Sequence, residues 1–187
     1  MPVPAGKGYG CDPRSPAVVS GPGVTRRQAG YLRQSDARLF HAPFTAERVA
    51  RLDADIGLAE QTETFSSRFS RLQDMLGHKF LPALLTALSE PPAPFVDHLD
   101  RAERLGWIRS SEAWLHMRAI RNQMVHPYME DPLLLSDALN AAHAFVPDLL
   151  TTAESLVREV ERRFGTEERF KEQHAPHADP KITVRKD

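Results

Sequence analysis

Residues 131–164 read DPLLLSDALNAAHAFVPDLLTTAESLVREVERRF, and this stretch decides the fold class. Leu135, Leu139, Ala142, Val146, Leu149, Ala153, Leu156, Val160 and Phe164 recur at steps of three and four residues, the spacing that stacks side chains on one face of an α-helix. Asp131 ahead of Pro132 is a helix start, because proline at the first helical position has no N–H to leave unpaired. The pattern predicts one helix of about eight turns, bent at Pro147.

The same period extends back through the chain. Ser110 or Ser111 can cap a helix whose stripe is Ala113, Met117, Ile120 and Met124. Pro127 stops it, since the residue before a proline avoids the α region, and this puts His126 at a helix end. Val96, Leu99, Ala102 and Leu105 define a short helix that Gly106 terminates, and Glu90-Pro91-Pro92-Ala93-Pro94 separates it from what precedes. Phe65, Phe69, Leu72, Leu76, Phe80, Leu84 and Leu88 predict a rod of about seven turns with a bend at Pro82. Thr45 caps a first helix through Val49, Leu52, Ile56 and Ala59, weakened by Gly57.

No stretch alternates with period two over a useful length. The expectation is therefore an all-α protein, a four- to five-helix up-and-down bundle over residues 36–164. A Gly-, Pro- and Ser-rich flexible arm over 1–35 carries Lys7, Arg14, Arg26, Arg27 and Arg33, and a loose tail covers 165–187.

Composition narrows the function classes. With 187 residues, 41% of them apolar, the chain suits one core rather than two. Lys and Arg total 24 against 25 Asp and Glu, so nucleic-acid binding would need a local patch rather than overall charge. Cys11 is the single cysteine, which leaves no intramolecular disulfide framework and no cysteine-rich zinc module. No export signal or membrane-length apolar run is visible, so the expected home is the cytoplasm. Gly21-Pro22-Gly23 lacks the strand-to-helix context of a phosphate loop, and His174-Ala175-Pro176-His177 lacks the helical spacing of a zinc enzyme. Neither a metal nor a cofactor is expected.

The segment Arg121-Asn122-Gln123-Met124-Val125-His126-Pro127-Tyr128 carries the candidate chemistry. Arg121 and His126 would diverge by about 140° on a straight helix, but the stop at Pro127 frees the imidazole to swing toward the groove that Arg121 borders between Met117 and Met124. A cation and a titratable imidazole together suit metal-independent RNA cleavage. His126 exchanges protons with the 2′-hydroxyl or the leaving oxygen, Arg121 holds the phosphate through its planar fork, and the product is a 2′,3′-cyclic phosphate. On spacing alone, an arginine complementing the helix macrodipole and a capping histidine are the commoner explanation.

Trp114-Leu115-His116-Met117-Arg118-Ala119-Ile120-Arg121-Asn122-Gln123-Met124-Val125-His126-Pro127-Tyr128 resembles the signature of the HEPN superfamily: Arg-Asn, three variable residues, His, one residue, Tyr. Ala102-Glu103-Arg104-Leu105-Gly106-Trp107-Ile108 is similar to the matching region of HEPN proteins that partner minimal nucleotidyltransferases. The architecture resembles that family over about residues 45 to 163, but the motif alone is specific. The resemblance implies a homodimer in which Arg121 and His126 of both protomers line a cleft and cut RNA, with Asn122 in support and Arg118 and His116 at the cleft edge. It also implies a minimal nucleotidyltransferase antitoxin that attaches AMP to Tyr128. In another branch the HEPN chain is a non-catalytic nucleotide- or substrate-binding subunit of its nucleotidyltransferase, and here that alternative stays open. The long Pro-rich arm, Pro91-Pro92 and Pro127 within the motif match no particular branch.

Overall fold

The structure, a computed structural model, describes residues 21–125 and 131–165. Among them every regular element is helical: α1 (Gly21–Leu39), α2 (Ala46–Ala50), α3 (Ile56–Asp74), a π-helical segment (Met75–Phe80), α4 (Leu81–Ala87), α5 (Phe95–Arg104), α6 (Ser111–Val125) and α7 (Pro132–Phe164). The all-α expectation holds. No described helix is long and apolar enough to cross a membrane.

Four long rods enclose the core, and each runs antiparallel to its neighbours. Tyr31 and Gly21 of α1 meet Arg68 and Phe80 of the rod begun by α3. Asp74 and Gly77 of that rod meet Arg121 and Trp114 of α6. His116 of α6 packs on Phe145 of α7, and Arg26 and Asp36 of α1 reach Glu161 and His143 of α7. The ring of contacts is thus α1, α3, α6, α7 and back to α1, in up-and-down order. Phe65, Phe69, Leu72, Leu76, Leu139, Leu149 and Leu156 fill the interior.

Closure depends on a helix that the sequence placed in a flexible arm. Residues 21–35 belong to α1, and its buried face, Pro22, Thr25, Ala29, Leu32, Ser35 and Leu39, packs against α3 and α7. The face escaped notice because two of its six side chains are hydroxylic, one is a proline ring and one is a methyl, so no apolar stripe stands out. Residues 1–20 lie outside the described set, as do 166–187. Gly30 sits inside α1 with open space around the position of a Cβ. Gly30→Ala is therefore expected to stabilise the fold by about 1 kcal/mol through helix propensity and unfolded-state entropy, raising Tm by about 2–4 °C in calorimetry.

Two other boundaries differ from the expectation. The helix expected from Thr45 through Ala59 is split in two. Thr45 accepts a hydrogen bond from Arg48 N–H to start α2, and a turn over 51–54 leads to Asp55, which caps α3 through Leu58 N–H. Ile56 accordingly faces solvent at 74% exposure instead of joining the stripe. The rod over Phe65–Leu88 is continuous, but it passes through the π segment just ahead of Pro82. Leu81 N–H reaches back five residues to Leu76 C=O, and Pro82 has no N–H to place.

The expected stop at Gly106 is a Schellman motif. Gly106 takes φ +71°, its N–H donates to Glu103 C=O, and Trp107 N–H donates to Ala102 C=O. This turn aims the chain into Ser110, whose hydroxyl accepts from Ala113 N–H and starts α6.

Across the ring, Arg26 donates from both terminal nitrogens to the Glu161 carboxylate, at 2.7 and 2.9 Å. This hydrogen bonding holds Glu161 below the usual carboxylate range and raises Arg26. A depressed folded-state pKa contributes stability above the unfolded value and loses it as pH falls through the folded value. Glu161→Gln is expected to cost up to about 1 kcal/mol near pH 7, because the pair is solvent-screened. Urea titrations should show that gap to wild type persisting at the ordinary glutamate value of about 4.3 and closing only at lower pH.

Candidate functional site

Helix α6 is wedged between α5 and α3 on one side and α7 on the other, which decides where its described side chains point. Trp114, Met117, Ile120 and Met124 form its buried stripe. Trp114 takes the place expected of Ala113, which is only half buried. Close approach to the rod opposite is possible because Gly77 has no side chain: a Cβ there would stand 3.2 Å from the Trp114 indole nitrogen.

Arg121 lies on the edge of that stripe facing α3, flanked by Met117 and Met124 one turn to either side. Its Nη2 donates to Asp74 Oδ2 at 2.5 Å and its Nη1 to Asn122 Oδ1 at 2.9 Å. Its Nε is buried without a hydrogen-bond partner. Two of the five guanidinium N–H groups are thus engaged. Among the described residues, one hydrogen on each terminal nitrogen remains without a partner and is placed for a two-point contact with an anion. The side chain is 28% exposed, enough for a ligand to reach it.

Asp74 had no part in the sequence reading. It is the last residue of α3, directly before the π segment, and it is the acidic member of a run that otherwise carries Arg68, Arg71, His78 and Lys79. That isolation is the one signal a sequence offers. Its partner 47 positions away is a matter of tertiary packing.

The two residues expected at the cleft edge go to different sides of α6. Arg118 turns toward α5, with its guanidinium carbon 5.3 Å from the Phe95 ring centroid. The His78 imidazole stacks on the same ring at 4.4 Å, so a second imidazole missed by the sequence reading shares the Arg118 side. His116 turns toward α7 and meets Phe145 edge-on at 5.7 Å. Five residues separate His116 from Arg121, about 140° of helix rotation, so the two do not converge.

His126 and Tyr128 lie outside the described residues. The described helix runs up to Val125, the residue before His126. Among the described residues no group of three or more His, Cys, Asp or Glu is placed to hold a metal ion. No protein-family model, curated protein or solved structure matches the chain. The site's meaning therefore rests on its own chemistry and on the motif.

Proposed function

We propose that the protein is a metal-independent endoribonuclease of the HEPN type, the toxin of a toxin–antitoxin pair, acting in the reducing cytoplasm. The observation that carries this reading is the fixing of Arg121 at the edge of α6 by Asp74 and Asn122, with two terminal N–H groups unpartnered among the described residues and His126 five residues on in the sequence. In the proposed reaction the 2′-hydroxyl attacks the adjacent phosphorus while neutral His126 takes its proton. The P–O5′ bond breaks, the 5′-oxygen collects a proton, and a 2′,3′-cyclic phosphate and a 5′-hydroxyl result. Arg121 meets the charge that gathers on the non-bridging oxygens.

A homodimer would supply two such sets. Leu133 and Leu134, exposed at the start of α7 just beyond the motif, offer apolar surface for a second copy. AMP placed on Tyr128 by a minimal nucleotidyltransferase would add bulk and negative charge where the RNA backbone must pass.

One observation favours the second reading, a non-catalytic binding subunit of a nucleotidyltransferase: Asp74 already neutralises Arg121, which leaves less positive charge to meet what gathers on phosphate oxygens in a cleavage transition state. The deciding experiment incubates full-length, unmodified protein with a mixed RNA pool in EDTA and analyses the new ends. Cyclic-phosphate and 5′-hydroxyl ends support the nuclease. Intact RNA rejects it in favour of the binding subunit.

A further inference from the structure

We infer that the solvent-facing seam between α1 and α3 is a track for single-stranded RNA leading to Arg121, a proposal that rests on the nuclease reading for its substrate. Arg27 and Arg33, expected on a flexible arm, are in fact on helix α1 at fixed positions. Arg27, Tyr31 and Arg38 recur at steps of four and seven, on one face of α1. Arg68 and Arg71 recur on the facing ridge of α3.

The register of the two helices brings these sets together. Arg68 donates to Tyr31 C=O at 2.9 Å, and its guanidinium lies 5.5 Å from the Tyr31 ring centroid. Because the helices are antiparallel, one turn back on α1 reaches Arg27 and one turn on along α3 reaches Arg71. Arg38 and Arg68 also line a groove of about 280 Å³ with Gln61 and Thr64 as further polar groups and Glu60 as its acidic member. The cations therefore extend for on the order of 16 Å, the rise of α1 from Arg27 to Arg38.

Three features suit a nucleic-acid strand. Among the described residues the guanidinium groups of Arg27, Arg38 and Arg71 have no ion-pair or hydrogen-bond partner, while Arg26 on the next face is committed to Glu161. Tyr31 is 45% exposed in the middle of them, a ring on which a base can stack. Arg71 stands one turn before Asp74 on the same helix, so a strand on the seam arrives at the carboxylate that holds Arg121. A chain with net charge −1 gains such affinity from a local alignment of cations.

The test uses full-length protein and a fluorescent single-stranded 2′-O-methyl RNA, which lacks the attacking hydroxyl, so binding is read apart from cleavage. Affinity is measured against salt for wild type, for Arg27→Gln/Arg38→Gln/Arg71→Gln, for Tyr31→Ala, and for Arg104→Gln/Arg158→Gln on other faces. Expected are a log–log salt slope smaller by about 2 in the triple variant, at roughly 0.7 per phosphate contact, and about five- to a hundredfold weaker binding for Tyr31→Ala. The control pair should keep the wild-type slope. Equal losses per charge in both arginine sets, no binding by wild type, or equal competition by polyglutamate would each overturn the track. None of these results depends on whether RNA is cut, so the nuclease reading stands or falls separately.

Discussion

Cleavage of RNA in EDTA is expected to fall by about a hundred- to ten-thousandfold in His126→Ala, the range for loss of a positioned general acid–base, and by a comparable factor in Arg121→Ala. Neither change should alter the melting temperature by more than a few degrees, since Arg121 is partly exposed and its pair with Asp74 is screened. A variant that keeps wild-type cleavage while folding normally would remove its residue from the mechanism. Asp74 gives a sharper discrimination. As a positioning residue it fixes the guanidinium, so Asp74→Ala should lower kcat about tenfold through misplacement of Arg121. Removing its negative charge should at the same time leave KM unchanged or lower it, because the carboxylate repels phosphate. Asp74→Asn retains an acceptor and should recover part of kcat. A purely structural Asp74 would lower kcat only in proportion to folded protein, with no such split.

Phe65→Ala is expected to destabilise the bundle by about 3–5 kcal/mol, read as a loss of urea midpoint and of roughly 10 °C in Tm. Phe65 is fully buried in α3, its ring 5.0 Å from Phe40 in an edge-to-face pair and 6.0 Å from Phe69. Phe40 in turn stacks on the His143 ring of α7 at 4.2 Å and pairs with Phe44 at 5.6 Å. Deleting the Phe65 ring thus leaves a cavity where α1, α3 and α7 meet, and the aromatic geometry adds about 0.5–1.5 kcal/mol beyond the area lost. A cost under about 1 kcal/mol would mean that this junction is not the packed centre described above.

How much was legible followed from side-chain chemistry. Helix α7 was readable from end to end because Leu139, Val146, Leu149, Leu156 and Val160 recur regularly among its buried positions, enough to outweigh Ser136 and Thr152 there, and Asp131 caps it through Leu133 N–H. Helix α1 was not, because Thr25 and Ser35 interrupt the buried face that Leu32 and Leu39 anchor, in a stretch whose Gly and Pro content reads as loop. The π segment had a signal that went unused. Leu72, Leu76, Phe80, Leu84 and Leu88 are four successive four-residue steps, each about 40° past a full turn of an ideal helix, so a widened turn is needed to keep them in line. Of the site, Arg121 and Asn122 could be located from the motif, whereas Asp74, His78 and the stacking of Arg118 on Phe95 arise from packing between distant segments.

The antiparallel pairing of α1 with α7 sets how the bundle answers to force. Gly21 and Gly165 lie at the same end, since Arg26 meets Glu161 there while Asp36 meets His143 farther along. Tension applied between those two residues would load the contacts one after another, beginning at the Arg26–Glu161 pair, so the two helices would peel apart like a zipper instead of resisting in shear.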